Sequence, residues 1–377
     1  MAEGILYGIG FAVSLCLALV LTPFVIKLAY KIGAIDKPNH RKVHTRIMPR
    51  LGGLGIFGAF VLAYFVIKPF IPDGMLRHYD TNIINALLAG GSIIVVIGML
   101  DDRFELSAKV KLLGQIVAAC VVVLGFGVKI DLLNIPFGES MQPIAAWISI
   151  PLTILWIVGV TNAINLIDGL DGLAAGVSGI AIGTILIMAA IMGFAPVILL
   201  CALLLGGVVG FLVYNFHPAK IFMGDTGSLF LGFALATLSM LGFKQVTMVS
   251  FVTPLLIIGV PLSDTFFAIV RRWVNKKPIF APDKGHLHHC LRELGFSHRR
   301  TVLIIYAIAS FFGICAIIQS TIVQSAAANW ITFVVILILV FVLQIGAELI
   351  GIVDKSRRPL INFLQRLIMR TEQSRTK

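Results

Sequence analysis

Apolar segments of about 20 residues, each long enough to cross a bilayer as a helix, recur along this chain and constrain its fold most strongly. Hydropathy averaged over a window of about 19 residues separates eleven of them. Only 13% of the residues are charged and 58% are hydrophobic, whereas a soluble domain carries about 25% charged residues. The sequence therefore predicts an all-α polytopic membrane protein and excludes a soluble enzyme. The predicted spans are 4–26, 51–71, 82–100, 110–128, 142–160, 173–192, 194–214, 227–243, 247–270, 301–321 and 329–352.

The distribution of basic residues predicts how the spans are oriented. If the loops alternate between two sides of the membrane, one side holds 26 of the 30 Lys and Arg residues. Because cytoplasmic loops are enriched in these residues, the N-terminus is predicted outside and the C-terminus inside. We expect one transmembrane domain over 1–352 and a basic amphipathic cytoplasmic tail over 353–377. The net charge of +12 is attributed to cytoplasmic loops and anionic substrates, without a nucleic-acid partner.

The polar clusters all fall on the predicted cytoplasmic side. Chance would scatter them over both faces, so their convergence predicts a site at the cytoplasmic membrane interface. They are Asp101-Asp102 after the third span, 162–172 after the fifth, 222–228 after the seventh, and 286–289 in the largest loop.

The pair Asp101-Asp102 has two readings. It can be a pair of helix-terminal carboxylates, but acidic groups at a helix C-terminus oppose the helix dipole and need a compensating cation. Lys109 and Lys111 follow closely enough to supply one. Carboxylates beside Mg²⁺ can instead form part of a metal shell or act as a general base.

The segment 162–172 is harder to explain as structure alone. Asn162, Asn165 and Asp168 are spaced by three residues, which places them on nearly one side of a helix. Glycines follow Asp168 and Asp171 and let backbone approach a ligand closely. The structural alternative is a polar turn between two spans.

Asp225 lies between glycines in Phe222-Met-Gly-Asp-Thr-Gly-Ser, just before the eighth span. It could cap that helix, or it could be one of the few carboxylates that Mg²⁺ takes together with phosphate oxygens. Phe222 could stack on a nucleobase or serve as an interfacial anchor.

Three histidines stand close together at His286, His288 and His289. A zinc site is one interpretation, but no fourth ligand recurs at a suitable spacing and the surroundings are basic. Imidazole donors directed at phosphate or sugar oxygens fit better, and a solvated helix is the structural alternative. Arg272 ends the ninth span, and Asp264, deeper in that span, is expected to pair within the bundle.

Together these features indicate phosphoryl transfer, in which positioning and charge neutralisation do most of the work. A membrane transporter is the alternative from another class. Transporter sites lie near the midplane between repeats, whereas these polar groups crowd one face and no repeat is visible.

At these motifs the chain resembles the polyprenyl-phosphate N-acetylhexosamine-1-phosphate transferase superfamily over nearly its whole length. The Asp pair, Asn-x-x-Asn-x-x-Asp-Gly-x-Asp-Gly, Met-Gly-Asp-Thr-Gly-Ser and His-x-His-His occur together and in order. The resemblance implies a bacterial plasma-membrane enzyme that moves a sugar-1-phosphate from a UDP-sugar to undecaprenyl phosphate and releases UMP. It also implies Mg²⁺, for which Mn²⁺ could substitute. A homodimer is compatible with the sequence, although no feature indicates a two-fold interface.

The resemblance also implies a role for each residue type. Asp101, Asp102 and Asp168 would be catalytic, and Asn165 and Asp225 would hold the metal. The nucleotide would be bound by Gly169, Leu170, Asp171 and Phe222, and the phosphate or sugar by Lys111, Arg272, His286, His288 and His289.

Two subclasses use different donors. The loop that starts at Pro278 resembles enzymes that transfer GlcNAc-1-phosphate from UDP-GlcNAc to begin teichoic acid or another surface polymer. The peptidoglycan enzymes, which transfer phospho-MurNAc-pentapeptide, usually have three consecutive histidines, and Leu287 interrupts them here. Glu105 stands where many relatives carry an aspartate, which leaves a role for this third acid open.

Overall fold

The computed structural model describes residues 2–37, 46–72, 78–130, 132–133, 142–241, 252–274, 286–322 and scattered helical positions between 331 and 346. Its elements are helices and two small hairpins. The helices are α1 (Ala2–Ile32), α2 (Gly52–Ile67), α3 (His78–Phe104), α4 (Ala108–Cys120), α5 (Ala146–Ile167), α6 (Leu173–Met192), α7 (Ala195–Asn215), α8 (Gly224–Leu241), α9 (Val252–Ile257), α10 (Gly259–Val274), α11 (Leu287–Glu293) and α12 (His298–Ile322). The antiparallel hairpins pair β1 (Ile35–Asp36) with β2 (Met48–Pro49) and β3 (Leu132–Leu133) with β4 (Gln142–Pro143).

The helices confirm an all-α polytopic membrane protein. Within the described ranges, eight helices are long and apolar enough to cross a membrane, and they coincide with the first seven predicted spans and the tenth. Helix α8 lies at the eighth predicted span. The eleventh span lies largely outside the described residues, and the tail over 353–377 lies wholly outside them. The orientation of the termini remains a prediction.

The ninth span was predicted as one helix over 247–270, but the structure divides the described part of it at Ile258 into α9 and α10. Pro261 has no backbone N–H to donate to the carbonyl of Ile257, which interrupts the helical hydrogen bonds at this point. Helix α10 carries both Asp264 and Arg272.

Helix α8 is the centre of the bundle. It packs against α2, α3, α5 and α6. Every residue from 226 to 240 is buried. Lipid could also surround an apolar helix, but here the burial comes from the four neighbouring helices. The first turn of α8, which carries Asp225, is therefore enclosed by neighbouring helices.

Two glycines allow these helices to approach closely. A Cβ on Gly53 of α2 would overlap the backbone of Gly227, and a Cβ on Gly98 of α3 would overlap the backbone of Thr226. Only glycine leaves enough space for such backbone-to-backbone contact. The close approach brings the end of α3 against the beginning of α8.

The segment after β2 is aligned with the turn that precedes α8. Gly52 and Gly53 donate backbone hydrogen bonds to the carbonyls of Phe222 (3.0 Å) and Met223 (2.9 Å), and Phe222 donates to Pro49 (2.8 Å). This strand-like pairing holds Arg50 beside the same turn.

Candidate active site

A cavity of about 780 Å³ lies where the ends of α5 and α7, the start of α8 and the hairpin β1–β2 meet. Its volume is in the range of about 300–1,000 Å³ that is usual for ligand sites. Asp101, Asp102 and Lys111 lie behind Asp225, whereas Arg272, His286 and His288 are outside the described lining. The predicted site residues that line it are Asn165, Asp168, Gly169, Leu170, Asp171, Phe222, Asp225 and His289.

One end of the site is an ion-paired carboxylate cluster. The Nζ atom of Lys111, on α4, lies 2.8 Å from Asp225 Oδ2 and 3.3 Å from Asp101 Oδ2. Opposite charges at this distance in a half-buried site stabilise the two carboxylates against their mutual repulsion. The structure thus brings together residues of three helices that were separate motifs in the sequence.

Asp102 holds the first turn of α8. Its Oδ1 accepts the backbone N–H of Asp225 (2.9 Å), and its Oδ2 accepts the N–H (3.0 Å) and hydroxyl (2.6 Å) of Thr226. Free N–H groups at a helix start need such acceptors. Asp225 therefore does not cap its own helix; Asp102 supplies the cap from α3, and the Asp225 carboxylate is left for Lys111. Arg50 Nε lies 3.9 Å from Asp102 Oδ1.

Asn165 and Asp168 close the same end of the cavity from α5. Asn165 Nδ2 donates to Ser228 Oγ (2.8 Å), and Asp168 follows the last residue of the helix. Burial, followed by the negative charges of Asp225 and Asp102, raises the pKa of Asp168 to about 7. Asn162 does not join them, because its side chain pairs with Gln115 on α4.

This donor set fits a magnesium ion. Mg²⁺ binds oxygen ligands, usually one or two carboxylates together with phosphate oxygens. Asp225, Asp101 and Asp168 provide carboxylates, and Asn165 provides an amide oxygen. The ammonium group of Lys111 between two of the carboxylates shows that a positive charge is favoured at this point.

The other end of the cavity is built from the turn after α5. Gly169 is exposed to the cavity, Leu170 is buried, and Asp171 Oδ2 accepts hydrogen bonds from His217 Nδ1 (2.8 Å) and the backbone of Ala219 (3.1 Å). Phe222 faces the same space. A carboxylate and an aromatic ring beside a glycine turn can bind a flat polar ring.

The three histidines do not converge on one point as a zinc site requires. His286 Nδ1 lies 2.9 Å from Asp264 Oδ2, and Asp264 Oδ1 accepts the N–H of Leu287 (2.9 Å). Asp264 was expected to pair within the bundle, but its partners lie at the start of α11, which this contact fixes. The rings of His286 and His288 are nearly parallel, 6.0 Å apart.

His288 packs behind the cavity wall, and His289 reaches the cavity. A Cβ on Gly169 would overlap the ring of His288, so this glycine lets α11 lie against the 169–171 turn. Burial, followed by the neighbouring His289, lowers the pKa of His288 to about 4. His288 is therefore neutral at physiological pH. Arg272 is 8% exposed on α10 and lies apart from the cavity lining.

Several lining residues were missed by the sequence interpretation. Arg46 and Arg50 were counted only as basic loop residues, while Asn215, His217 and His298 were not selected at all. The arginine before Leu-Gly-Gly and the histidine before Pro218 gave only weak signals, because such residues are common beside predicted spans. Glu105 is exposed and has a φ of 51° where α3 ends.

Comparisons with known proteins identify relatives of this chain. Residues 84–243 match the family described as glycosyl transferase family 4. The probable undecaprenyl-phosphate N-acetylglucosaminyl 1-phosphate transferase of Bacillus subtilis is 48% identical over 363 residues, which cover 96% of this chain and 97% of that protein.

Two further relatives are more distant. The decaprenyl-phosphate N-acetylglucosaminephosphotransferase of Mycobacterium tuberculosis is 38% identical over 74% of each chain. The undecaprenyl-phosphate alpha-N-acetylglucosaminyl 1-phosphate transferase of Escherichia coli is 27% identical over 93% of this chain and 92% of that protein.

Proposed function

The chain belongs to the polyprenyl-phosphate N-acetylglucosamine-1-phosphate transferases of glycosyl transferase family 4, and on this premise we propose its reaction. It transfers GlcNAc-1-phosphate from UDP-GlcNAc to undecaprenyl phosphate and gives undecaprenyl-diphospho-GlcNAc and UMP. The names of its relatives support the donor sugar and the lipid acceptor.

One observation carries the proposal: the cavity has a carboxylate–ammonium cluster at one end and a ring-binding turn at the other. At the first end, Lys111 Nζ lies within 3.3 Å of carboxylate oxygens of Asp101 and Asp225. Asp171 and Phe222 lie at the second. A nucleotide diphosphate has the same polarity, with a flat base at one end and the reacting phosphate at the other.

In the proposed step an oxygen of the lipid phosphate attacks the β-phosphorus of UDP-GlcNAc. The bond between that phosphorus and the bridging oxygen breaks, and the oxygen leaves with UMP. Asp101 accepts a proton from the lipid phosphate or orients it, and Lys111 and Arg50 offset the negative charge of both substrates. Asp102 acts indirectly, because it holds the backbone of Asp225.

Asp225 and Asn165 would hold Mg²⁺ in this site, with Asp168 orienting them. The ion would supply neutralisation of the diphosphate charge. Mn²⁺ has similar preferences for oxygen ligands, and we expect it to support slower transfer.

The histidine loop supports the GlcNAc subclass, because Leu287 separates His286 from His288. The proposed product starts a surface polymer, with teichoic acid as the first candidate, and the site faces the cytoplasm, where UDP-sugars are made. The concentration of 26 Lys and Arg residues on one predicted side supports this orientation.

The test uses purified protein, undecaprenyl phosphate, Mg²⁺, and either UDP-GlcNAc or UDP-MurNAc-pentapeptide carrying a radiolabel in the sugar. We expect label to enter the lipid phase from UDP-GlcNAc alone, with an equal release of UMP and loss of both in EDTA. Label from the pentapeptide donor alone would instead assign the chain to the peptidoglycan subclass. No label from either donor would contradict the proposed reaction.

A further inference from the structure

Asp171 lines the cavity, and among the described residues only one of its two carboxylate oxygens has a hydrogen-bond donor. Both His217 Nδ1 (2.8 Å) and the backbone N–H of Ala219 (3.1 Å) reach Oδ2. No donor from the part of the chain that the structure describes reaches Oδ1. The carboxylate is therefore oriented, with a single acceptor left for a ligand.

His217 is itself held from two sides. Its ring stacks on that of His298, with centroids 4.1 Å apart and planes 17° from parallel. Its carbonyl accepts two hydrogen bonds from the guanidinium of Arg299, at 3.3 Å and 3.1 Å. A side chain fixed at both its ring and its backbone can set the direction of the carboxylate that it contacts.

The same three side chains could be considered as a cation site, because ligand atoms of Asp171, His217 and His298 lie within 4.8 Å of one another. The stacked rings argue against it. Imidazole lone pairs lie in the ring plane, so those of two nearly parallel rings point side by side and do not meet at one ion. Since an ionised carboxylate only accepts hydrogen bonds, His217 carries its proton on Nδ1.

We propose that His217 is a positioning residue that sets nucleobase selectivity by turning the free oxygen of Asp171 toward the base. This inference rests on the proposed uridine-nucleotide donor and assigns a role that was not predicted from the sequence. The ring N3–H of uracil is a donor that this oxygen can accept. Cytosine has a lone pair at the same ring position, which would face the carboxylate and be repelled.

Two substitutions separate the hydrogen bond from the stacking contact. His217→Phe keeps a ring against His298 and removes the donor. His217→Asn removes the ring and keeps an amide nitrogen at the δ position, where Nδ1 lies in histidine. Ser92→Ala is the control, because Ser92 is exposed on α3 and bonds only to Leu88 of its own helix.

For His217→Phe we expect the KM for UDP-GlcNAc to rise about ten-fold, because a hydrogen bond to a charged group is lost. We expect kcat to change less than about two-fold, since the reacting phosphate is bound elsewhere. Inhibition by UMP should weaken and the preference for UMP over CMP should shrink. His217→Asn should restore both the KM and the preference to within about three-fold of the original protein.

The opposite order would overturn the inference. If stacking were the only role, His217→Phe would behave normally and His217→Asn would lose activity. An unchanged ratio of UMP to CMP binding in His217→Phe would also contradict it. Calorimetric measurement of UMP and CMP binding to the full chain keeps this test separate from the proposed function, because it needs no transfer. If His217 discriminates UMP from CMP but the protein transfers no GlcNAc-1-phosphate, only the proposed transfer reaction is contradicted.

Discussion

The two ends of the active site are held in different ways. At the carboxylate end, Asp102 binds backbone N–H groups of α8, and Gly53 and Gly98 let three helices touch. The other end is lined by His217, His289 and His298, and we call it the histidine end. There α11 is held by the contacts of Asp264 with His286 and Leu287. The first end belongs to the core of the bundle, whereas the second is a short helix attached to its surface.

This difference indicates how each end should respond to mutation. A reacting phosphate needs charges fixed to within a fraction of an ångström, and a helix core provides that precision. The residues that bind the base and the sugar can vary between enzymes, and loops or short helices change with less effect on the bundle. We therefore expect substitutions at the carboxylate end to lower kcat and substitutions at the histidine end to raise KM.

Asp225→Asn should produce the largest effect. We expect transfer to fall by about 10³-fold, because a charge beside the reacting phosphate is lost. The protein should remain folded, because Asp102 contacts the backbone of residue 225 and not its side chain. Glu105→Gln is the control, because it removes an exposed acid just after the end of α3 and should retain activity. Equal activity in Asp225→Asn and the original protein would exclude the metal assignment.

Asp102→Asn should lower both activity and stability. An amide nitrogen in place of one oxygen leaves a buried N–H of Asp225 or Thr226 without an acceptor, at a cost of about 1–3 kcal/mol. We expect transfer to fall by about 10²-fold as the first turn of α8 shifts. The melting temperature in detergent, measured beside that of Asp225→Asn, checks the distinction. A drop in activity at an unchanged melting temperature would argue for a direct catalytic role.

Asp168→Asn should lower transfer less than the two preceding variants, but it should make the folded protein more stable than wild type at high pH. The pKa of Asp168 is about 7 when folded and about 3.9 in an unfolded chain. Between these values the folded protein binds a proton that the unfolded chain has released, so wild-type stability falls as pH rises from about 4 to 7. In EDTA, the melting temperature of the variant should exceed that of wild type more at pH 8 than at pH 5. A melting-temperature difference between variant and wild type that does not change with pH would contradict the raised pKa of Asp168.

Asp264 gives the smallest predicted effect and tests the histidine end. Asp264→Leu removes the acceptors for His286 and Leu287, and we expect the KM for UDP-GlcNAc to rise about ten-fold with little change in kcat. Asp264→Asn keeps one carbonyl oxygen and should differ from wild type by less than about three-fold. Steady-state kinetics at saturating lipid measure both. A loss of kcat equal to that of Asp225→Asn would remove the distinction between the two ends.

Much of the carboxylate end could be predicted because its residues stand out in an apolar chain. Asp101, Asp102, Asp168 and Asp225 are acidic groups at the ends of spans, where an uncompensated charge is costly. Lys111 was predicted as a cation near the pair, and the structure places it against Asp101. The cap that Asp102 provides could not be predicted, because its partner Thr226 is 124 residues away.

The histidine end was predicted less well for a physical reason. His217 and His298 are single polar residues beside spans, and their significance depends on a contact with Asp171 that sequence spacing does not encode. The ninth span was predicted as one helix because hydropathy averaged over a window does not register the single missing N–H of Pro261. His286, His288 and His289 were selected together, yet only His289 faces the cavity.

The most direct measurement uses UDP-GlcNAc with the radiolabel in its β-phosphate, supplied with undecaprenyl phosphate to the wild-type protein and to Asp225→Asn. We expect the label to enter the lipid fraction with wild type and to stay in the aqueous donor with the variant. Label released into the aqueous phase as UDP would show that the bond to the sugar breaks and not the diphosphate bond. That result would contradict sugar-phosphate transfer at this carboxylate cluster.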